Sequence, residues 1–121
     1  MFDAWVQRYA ERSPDGAVHA RAVVEKANRL FASEPTLTVD ELAAITVPTL
    51  VMAGDDEVIS LSHTCALYEA IPDAQLCVMP GTSHALLKER TKECSRLISH
   101  FLRSPWPVET FMPVRRRTTS P

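Results

Sequence analysis

The spacing of apolar and polar positions changes character near residue 46. Upstream of that point apolar residues recur at helical intervals. Residues 2–12 read as a short helix, and Ser13-Pro14-Asp15-Gly16 interrupts it as a turn. Residues 17–32 then place Val23, Ala27, Leu30 and Phe31 along one side of a second helix, which Glu34-Pro35 ends. Thr38-Val39-Asp40-Glu41 has the spacing of a capping box, in which hydroxyl and carboxylate reciprocally satisfy backbone N–H groups; a short helix is predicted from there to about Ile45.

Downstream, the pattern alternates between strand and helix. Thr49-Leu50-Val51-Met52-Ala53 is an unbroken apolar run behind Pro48, followed by Gly54 and three acidic residues, which predicts a buried strand ending in a loop. Residues 61–71 carry Leu61, Cys65 and Tyr68 at helical spacing. A second strand is predicted from Gln75 to Met79, with Pro80-Gly81 stopping it. In residues 91–103, Cys94, Leu97, Ile98, Phe101 and Leu102 form an i, i+3, i+4, i+7, i+8 stripe. Strands buried on both faces and separated by a helix imply parallel pairing, with helix 61–71 as a right-handed crossover. The expected core is Leu50, Val51, Met52, Leu76, Val78, Leu97, Ile98 and Phe101. The fold class is therefore α/β with a partial doubly wound parallel sheet of two strands and flanking helices. No third strand pattern occurs in residues 1–45, and two parallel strands leave edges uncovered. Self-association or a complementing chain is expected to cover them.

Composition narrows the function classes. A length of 121 residues suits one domain. Thirteen Lys and Arg against fifteen Asp and Glu give a net charge of −2, which argues against a nucleic-acid partner. No cationic segment followed by an apolar stretch opens the chain, so no secretory leader is expected. Apolar runs such as Leu50 to Ala53 are too short for a membrane span. Cys65, Cys77 and Cys94 are odd in number, far apart and without a CxxC pair. That predicts a reducing, cytoplasmic setting without a disulfide framework or zinc module, and no metal or cofactor is expected. Cys65 and Cys94 are expected in the core, Trp5 and Tyr9 as packing residues, and His19, His63 and His100 as surface or half-buried positions. Arg115-Arg116-Arg117, behind Pro105, Pro107 and Pro113, reads as a solvated tail within an irregular segment 104–121.

Candidate chemistry lies at the strand ends, where open parallel sheets collect functional groups. The first strand leads into Gly54-Asp55-Asp56-Glu57 and the second into Pro80-Gly81-Thr82-Ser83-His84. An acid and a histidine on adjacent strand ends could meet, the acid fixing the tautomer and stabilising imidazolium, as in the orienting half of a nucleophile–base–acid triad. The same residues also suit ordinary strand-to-helix turns.

Val47-Pro48-Thr49-Leu50-Val51-Met52-Ala53-Gly54-Asp55-Asp56-Glu57-Val58 resembles a late strand of α/β-hydrolases, which typically reads VPTLV, a variable pair, then GxxD. Ala70 to Leu76, followed by Pro80-Gly81-Thr82-Ser83-His84, is similar to their histidine-bearing segment, and helix 91–103 to their closing helix. The resemblance covers residues 46–103, with residues 1–45 more weakly similar to a helical, cap-like segment and 104–121 left as a tail. It implies a serine hydrolase, esterase-like, acting on a small-molecule acyl substrate with His84 as general base. The triad acid falls on Glu57 by motif register, where the family carries Asp, or on Asp56 if the loop shifts by one residue.

The family's nucleophile elbow, G-x-S-x-G, is absent: the glycines are Gly16, Gly54 and Gly81, no two of them four apart. Since the family order is nucleophile, acid, histidine, the chain resembles the C-terminal portion of the fold, carrying the acid and histidine without nucleophile or oxyanion hole. Such a chain alone is expected to be inactive, or to serve as a non-catalytic interaction module. A competing reading takes Gly81-Thr82-Ser83-His84-Ala85 as a near-elbow with Ser83 as nucleophile. It needs His100 as base and Glu89, Glu93 or Glu109 as acid, and Pro80 fits a histidine loop better.

Overall fold

Residues 2–115 are described by a computed structural model, and the chain divides between Leu37 and Thr38 into two compact units. The first unit is a pair of helices, α1 (Phe2–Ala10) and α2 (Gly16–Ser33). Gly16, at φ 74°, supplies the left-handed turn between them. Arg21 of α2 reaches Asp3 of α1 at 3.3 Å and stacks 5.5 Å from the Phe2 ring centre. Among the described residues only Ala20 is fully buried in this unit. Trp5 and Tyr9, expected as packing residues, are instead 61% and 39% exposed. Two helices offer each other one face, so the rest of each apolar stripe faces water.

The second unit begins with the predicted capping box. Thr38 Oγ1 accepts from Glu41 N at 3.2 Å, and Glu41 Oε2 accepts from Thr38 N at 2.7 Å, starting α3 (Val39–Ala43). There follow β1 (Thr49–Asp56), α4 (Leu61–Ala70), β2 (Ala74–Ser83), α5 (Leu86–Glu89) and α6 (Thr91–Arg103). The architecture is mixed α/β, with β1 and β2 paired in parallel from Thr49↔Ala74 to Gly54↔Met79.

Alternation along each strand divides the core between two sheet faces. Val51, Ile71 and Ala74 form one cluster, packed by Leu42, Ile45, Leu67, Tyr68 and Leu76. Met79, Leu86 and Cys94 form the other, packed by Met52 and Cys77. Of the eight expected core residues only Val51 is fully buried; Val78 and Leu97 are 38% and 39% exposed. A sheet two strands wide is too narrow to seat a whole helix face, so the α6 stripe buries only Cys94 completely. Cys65 is half-buried, and His19, His63 and His100 are exposed.

Both strands run past the residues expected to stop them. The register jumps from Gly54↔Met79 to Asp56↔Ser83, leaving two extra residues on β2. This bulge holds Pro80, which has no N–H for the ladder, and Gly81, at φ 63°. Opposite it, Gly54 permits close approach: a Cβ there would lie 2.7 Å from the backbone oxygen of Ser83 and nearer still to that of Thr82.

From Ser104 to Arg115 the described residues have little regular structure, as expected. Arg115 is not a solvated residue, however. Its guanidinium donates to the carbonyls of Tyr68, Ile71 and Ala74. Arg116 and Arg117 lie outside the described residues. Among the described residues no helix is long and apolar enough to cross a membrane.

Candidate functional site

The carboxyl ends of the two strands carry a network of carboxylates gripping backbone. Asp55 leaves β1 beside the bulge, and its Oδ1 accepts from Thr82 N at 3.1 Å. The Thr82 hydroxyl, buried, donates to Met79 O at 2.8 Å. The bulge is thus closed from within by Thr82 and pinned from the neighbouring strand by Asp55. N–H groups of Gly81 and then Thr82 hold the Asp55 carboxyl below its ordinary range.

Two residues further on, Glu57 turns back towards the sheet. Its Oε1 accepts from Gly54 N at 3.4 Å, and its Oε2 lies 2.9 Å from His84 Nδ1. The hydrogen bond from His84, the largest influence, lowers the Glu57 pKa against the opposing effect of burial. An ionised carboxylate only accepts, so Nδ1 carries the proton and the neutral ring presents Nε2 as its acceptor. Exposure divides sharply across the pair: the His84 side chain is 66% exposed and that of Glu57 only 6%. A buried anion thereby holds an accessible imidazole by its far nitrogen.

Glu89, at the end of α5, fixes the other side of the histidine turn. Its Oε2 accepts from Ser83 N at 2.8 Å and its Oε1 from the Ser83 hydroxyl at 2.7 Å. Ser83 Oγ in turn accepts from Ala85 N at 3.1 Å. The Ser83 N–H and then its hydroxyl lower the Glu89 pKa. His84 therefore sits between two residues whose backbone N–H groups are committed.

Of the residues proposed from sequence, His84 and Glu57 meet across 27 positions. Asp56 is exposed, paired in register with Ser83, and makes no hydrogen bond or ion pair with His84. Ser83 and Glu89 also meet, but the hydroxyl proton points at the carboxylate, with no histidine between them. Sequence pattern does not mark Asp55 and Glu89 as anchors; the signals for them are an acid directly after Gly54 at the strand end, and a glutamate six residues after Ser83.

The arrangement can take up a proton at Nε2 and stabilise the resulting imidazolium through Glu57. Two hollows of about 470 and 280 Å³ lie elsewhere, one along α6 and one beside Pro48 and Gln75, and neither is lined by Glu57 or His84. Among the described residues, no three His, Cys, Asp or Glu side chains gather as a metal site requires. No family model and no curated protein matches the chain.

Proposed function

We propose that the chain carries the acid–histidine half of a serine-hydrolase site, on the closing strands of an α/β-hydrolase-type fold, for hydrolysis of ester or related acyl bonds. The observation that supports this reading most is the exposed His84 held at Nδ1, 2.9 Å from the buried Glu57, at the carboxyl ends of parallel strands. In this reading His84 Nε2 takes the proton of a serine as it attacks the acyl carbon, then returns it to the leaving group. Glu57 orients the ring and stabilises its charged form. The nucleophile and the oxyanion-hole donors come from a further segment of polypeptide, because these 121 residues hold no G-x-S-x-G elbow. The three cysteines, reduced, fit a cytoplasmic setting.

The test is p-nitrophenyl ester hydrolysis by the pure chain beside His84→Ala and Ser83→Ala. Expected is no turnover above free imidazole, since losing even one oxyanion donor costs about 10²–10³ in rate. Adding the elbow-bearing segment, sought first in the adjoining coding sequence, should restore turnover that His84→Ala abolishes. Turnover by the chain alone that Ser83→Ala abolishes would transfer the nucleophile to Ser83 and overturn this division of the site.

A second reading rests on the width of the sheet. With two strands, β1 and β2 each keep an outer edge, and an edge can bind another strand through backbone hydrogen bonds. In this reading the chain is a non-catalytic interaction module that pairs with itself or a complementing chain. Sedimentation at micromolar concentration separates the cases: a monodisperse monomer removes self-pairing.

A further inference from the structure

At the opposite end of the sheet, helix α4 closes with Ile71 N donating to Leu67 O, so the carbonyls from Tyr68 onward have no further partner within the helix. Three carbonyls of this corner converge on one guanidinium. Arg115 Nη2 donates to Tyr68 O at 2.7 Å and to Ile71 O at 2.5 Å, and Nη1 donates to Ala74 O at 3.1 Å. The Tyr68 ring closes one side, its centre 4.2 Å from Arg115 Cζ. Ile71 and Ala74 are themselves fully buried and belong to the cluster around Val51, so two of the three carbonyls come from core residues.

The chemistry of the corner selects one kind of cation. Planar N–H donors reach several carbonyls at once while the flat group stacks on an aromatic ring; an ammonium ion is a point charge with no plane to stack. The carboxy-terminal end of α4 adds partial negative charge. Arg115 comes from more than forty residues away in sequence, along a segment that lines a groove with Pro48, Gln75 and Phe101. We infer that the corner formed by the Tyr68 ring and the carbonyls of Tyr68, Ile71 and Ala74 is a guanidinium-selective binding site. Arg115 is its resident ligand, and the site accepts other guanidinium compounds when that side chain is removed. The site is separate from the His84–Glu57 pair and stands whether or not that pair is catalytic.

The experiment is chemical rescue on the full chain. Arg115→Ala is titrated with N-ethylguanidinium at millimolar concentration, with N-ethylammonium as control, reading thermal midpoint and the Tyr68 ring signals in NMR spectra. Expected in the variant alone is a lowered midpoint and shifted Tyr68 ring signals, since the guanidinium stacks on that ring. N-ethylguanidinium should restore the midpoint saturably, N-ethylammonium should not, and the unsubstituted chain should respond to neither. Rescue by both cations, an equal response of the unsubstituted chain, or no rescue of a folded Arg115→Ala overturns the inference. If Arg115→Ala fails to fold, Arg115→Lys decides: wild-type Tyr68 ring signals in that variant refute guanidinium selectivity, and shifted signals support it.

Discussion

At the carboxyl ends of β1 and β2, three carboxylates receive backbone N–H groups: Asp55 takes that of Thr82, Glu57 that of Gly54, and Glu89 that of Ser83. At the amino end of β2 the polarity is reversed, and a guanidinium donates to three carbonyls. Both arrangements meet the same need. Each binds backbone polar groups where strands and helices end, and a buried polar group left unpaired costs about 1–3 kcal/mol. The difference lies in what else each end can do. One end gathers titratable groups around an accessible histidine; the other spends its charge on holding a distant segment.

Truncating the core beneath the histidine turn should have the largest effect. Leu86 is buried with Met79 and Cys94 directly after the histidine turn. Leu86→Ala should cost about 2–5 kcal/mol, read by denaturant unfolding. In a core this thin, such a loss should release both ends together.

Gly54→Ala attacks the carboxyl end alone. The new methyl meets the backbone oxygens of Thr82 and Ser83, so the strands must part where Glu57 faces His84. We expect a loss of about 1–3 kcal/mol. The His84 imidazole resonances should shift in NMR spectra while the Tyr68 ring signals stay in place. Movement of the Tyr68 signals instead would show that the ends are not independent.

Acidification sharpens the contrast without mutation. Asp55, Glu57 and Glu89 all have folded-state pKa values below their ordinary values of 3.8, 4.5 and 4.5. A group whose folded pKa is depressed stabilises the fold above its unfolded pKa and loses that contribution as pH falls through the folded value. The contribution of these three carboxylates should therefore be fully present above about pH 5 and be lost progressively below about pH 4. Amide exchange at Thr82 and Ser83 should rise first. Three acceptors of Arg115 are backbone carbonyls, which do not titrate, so the Tyr68 ring signals should move only at lower pH.

Asp56→Asn should do least. Asp56 is exposed and takes no part in the His84 contact, so stability should change by less than about 0.5 kcal/mol and the imidazole signals should stay unchanged. A shift of His84 comparable to that caused by Glu57→Gln would assign the acid to Asp56 after all.

The elements of the second unit are legible in sequence because local pattern and tertiary environment agree there. Thr38 and Glu41 are three apart whatever surrounds them, and the apolar run from Leu50 to Ala53 has no amphipathic alternative. The facing of Glu57 and His84 is legible to the same extent, since both follow parallel strands. The bulge is not: Pro80-Gly81 reads as a stop, and only pairing with β1 keeps it extended. The core is misjudged for a similar reason. Periodicity marks the apolar side of α6 but not how much sheet there is to cover it, so Leu97 remains exposed while Leu86, in a four-residue helix with no periodicity, is buried. Arg115 is invisible to local reading, because its carbonyl acceptors come from a corner whose shape no residue near it encodes.

The bulge on β2 also sets a rule for how this sequence can change in length. Its two extra residues shift the register by an even number, from Gly54↔Met79 to Asp56↔Ser83, and the side-chain period of a strand is two. The inward and outward sequence of β2 therefore resumes after the interruption as if nothing had intervened. Loss or gain of one residue between Met79 and Ser83 would turn the Ser83–His84 corner to the other face of the sheet and carry the imidazole away from Glu57. Paired gains and losses preserve the faces, so relatives of this chain should differ in that segment by even steps.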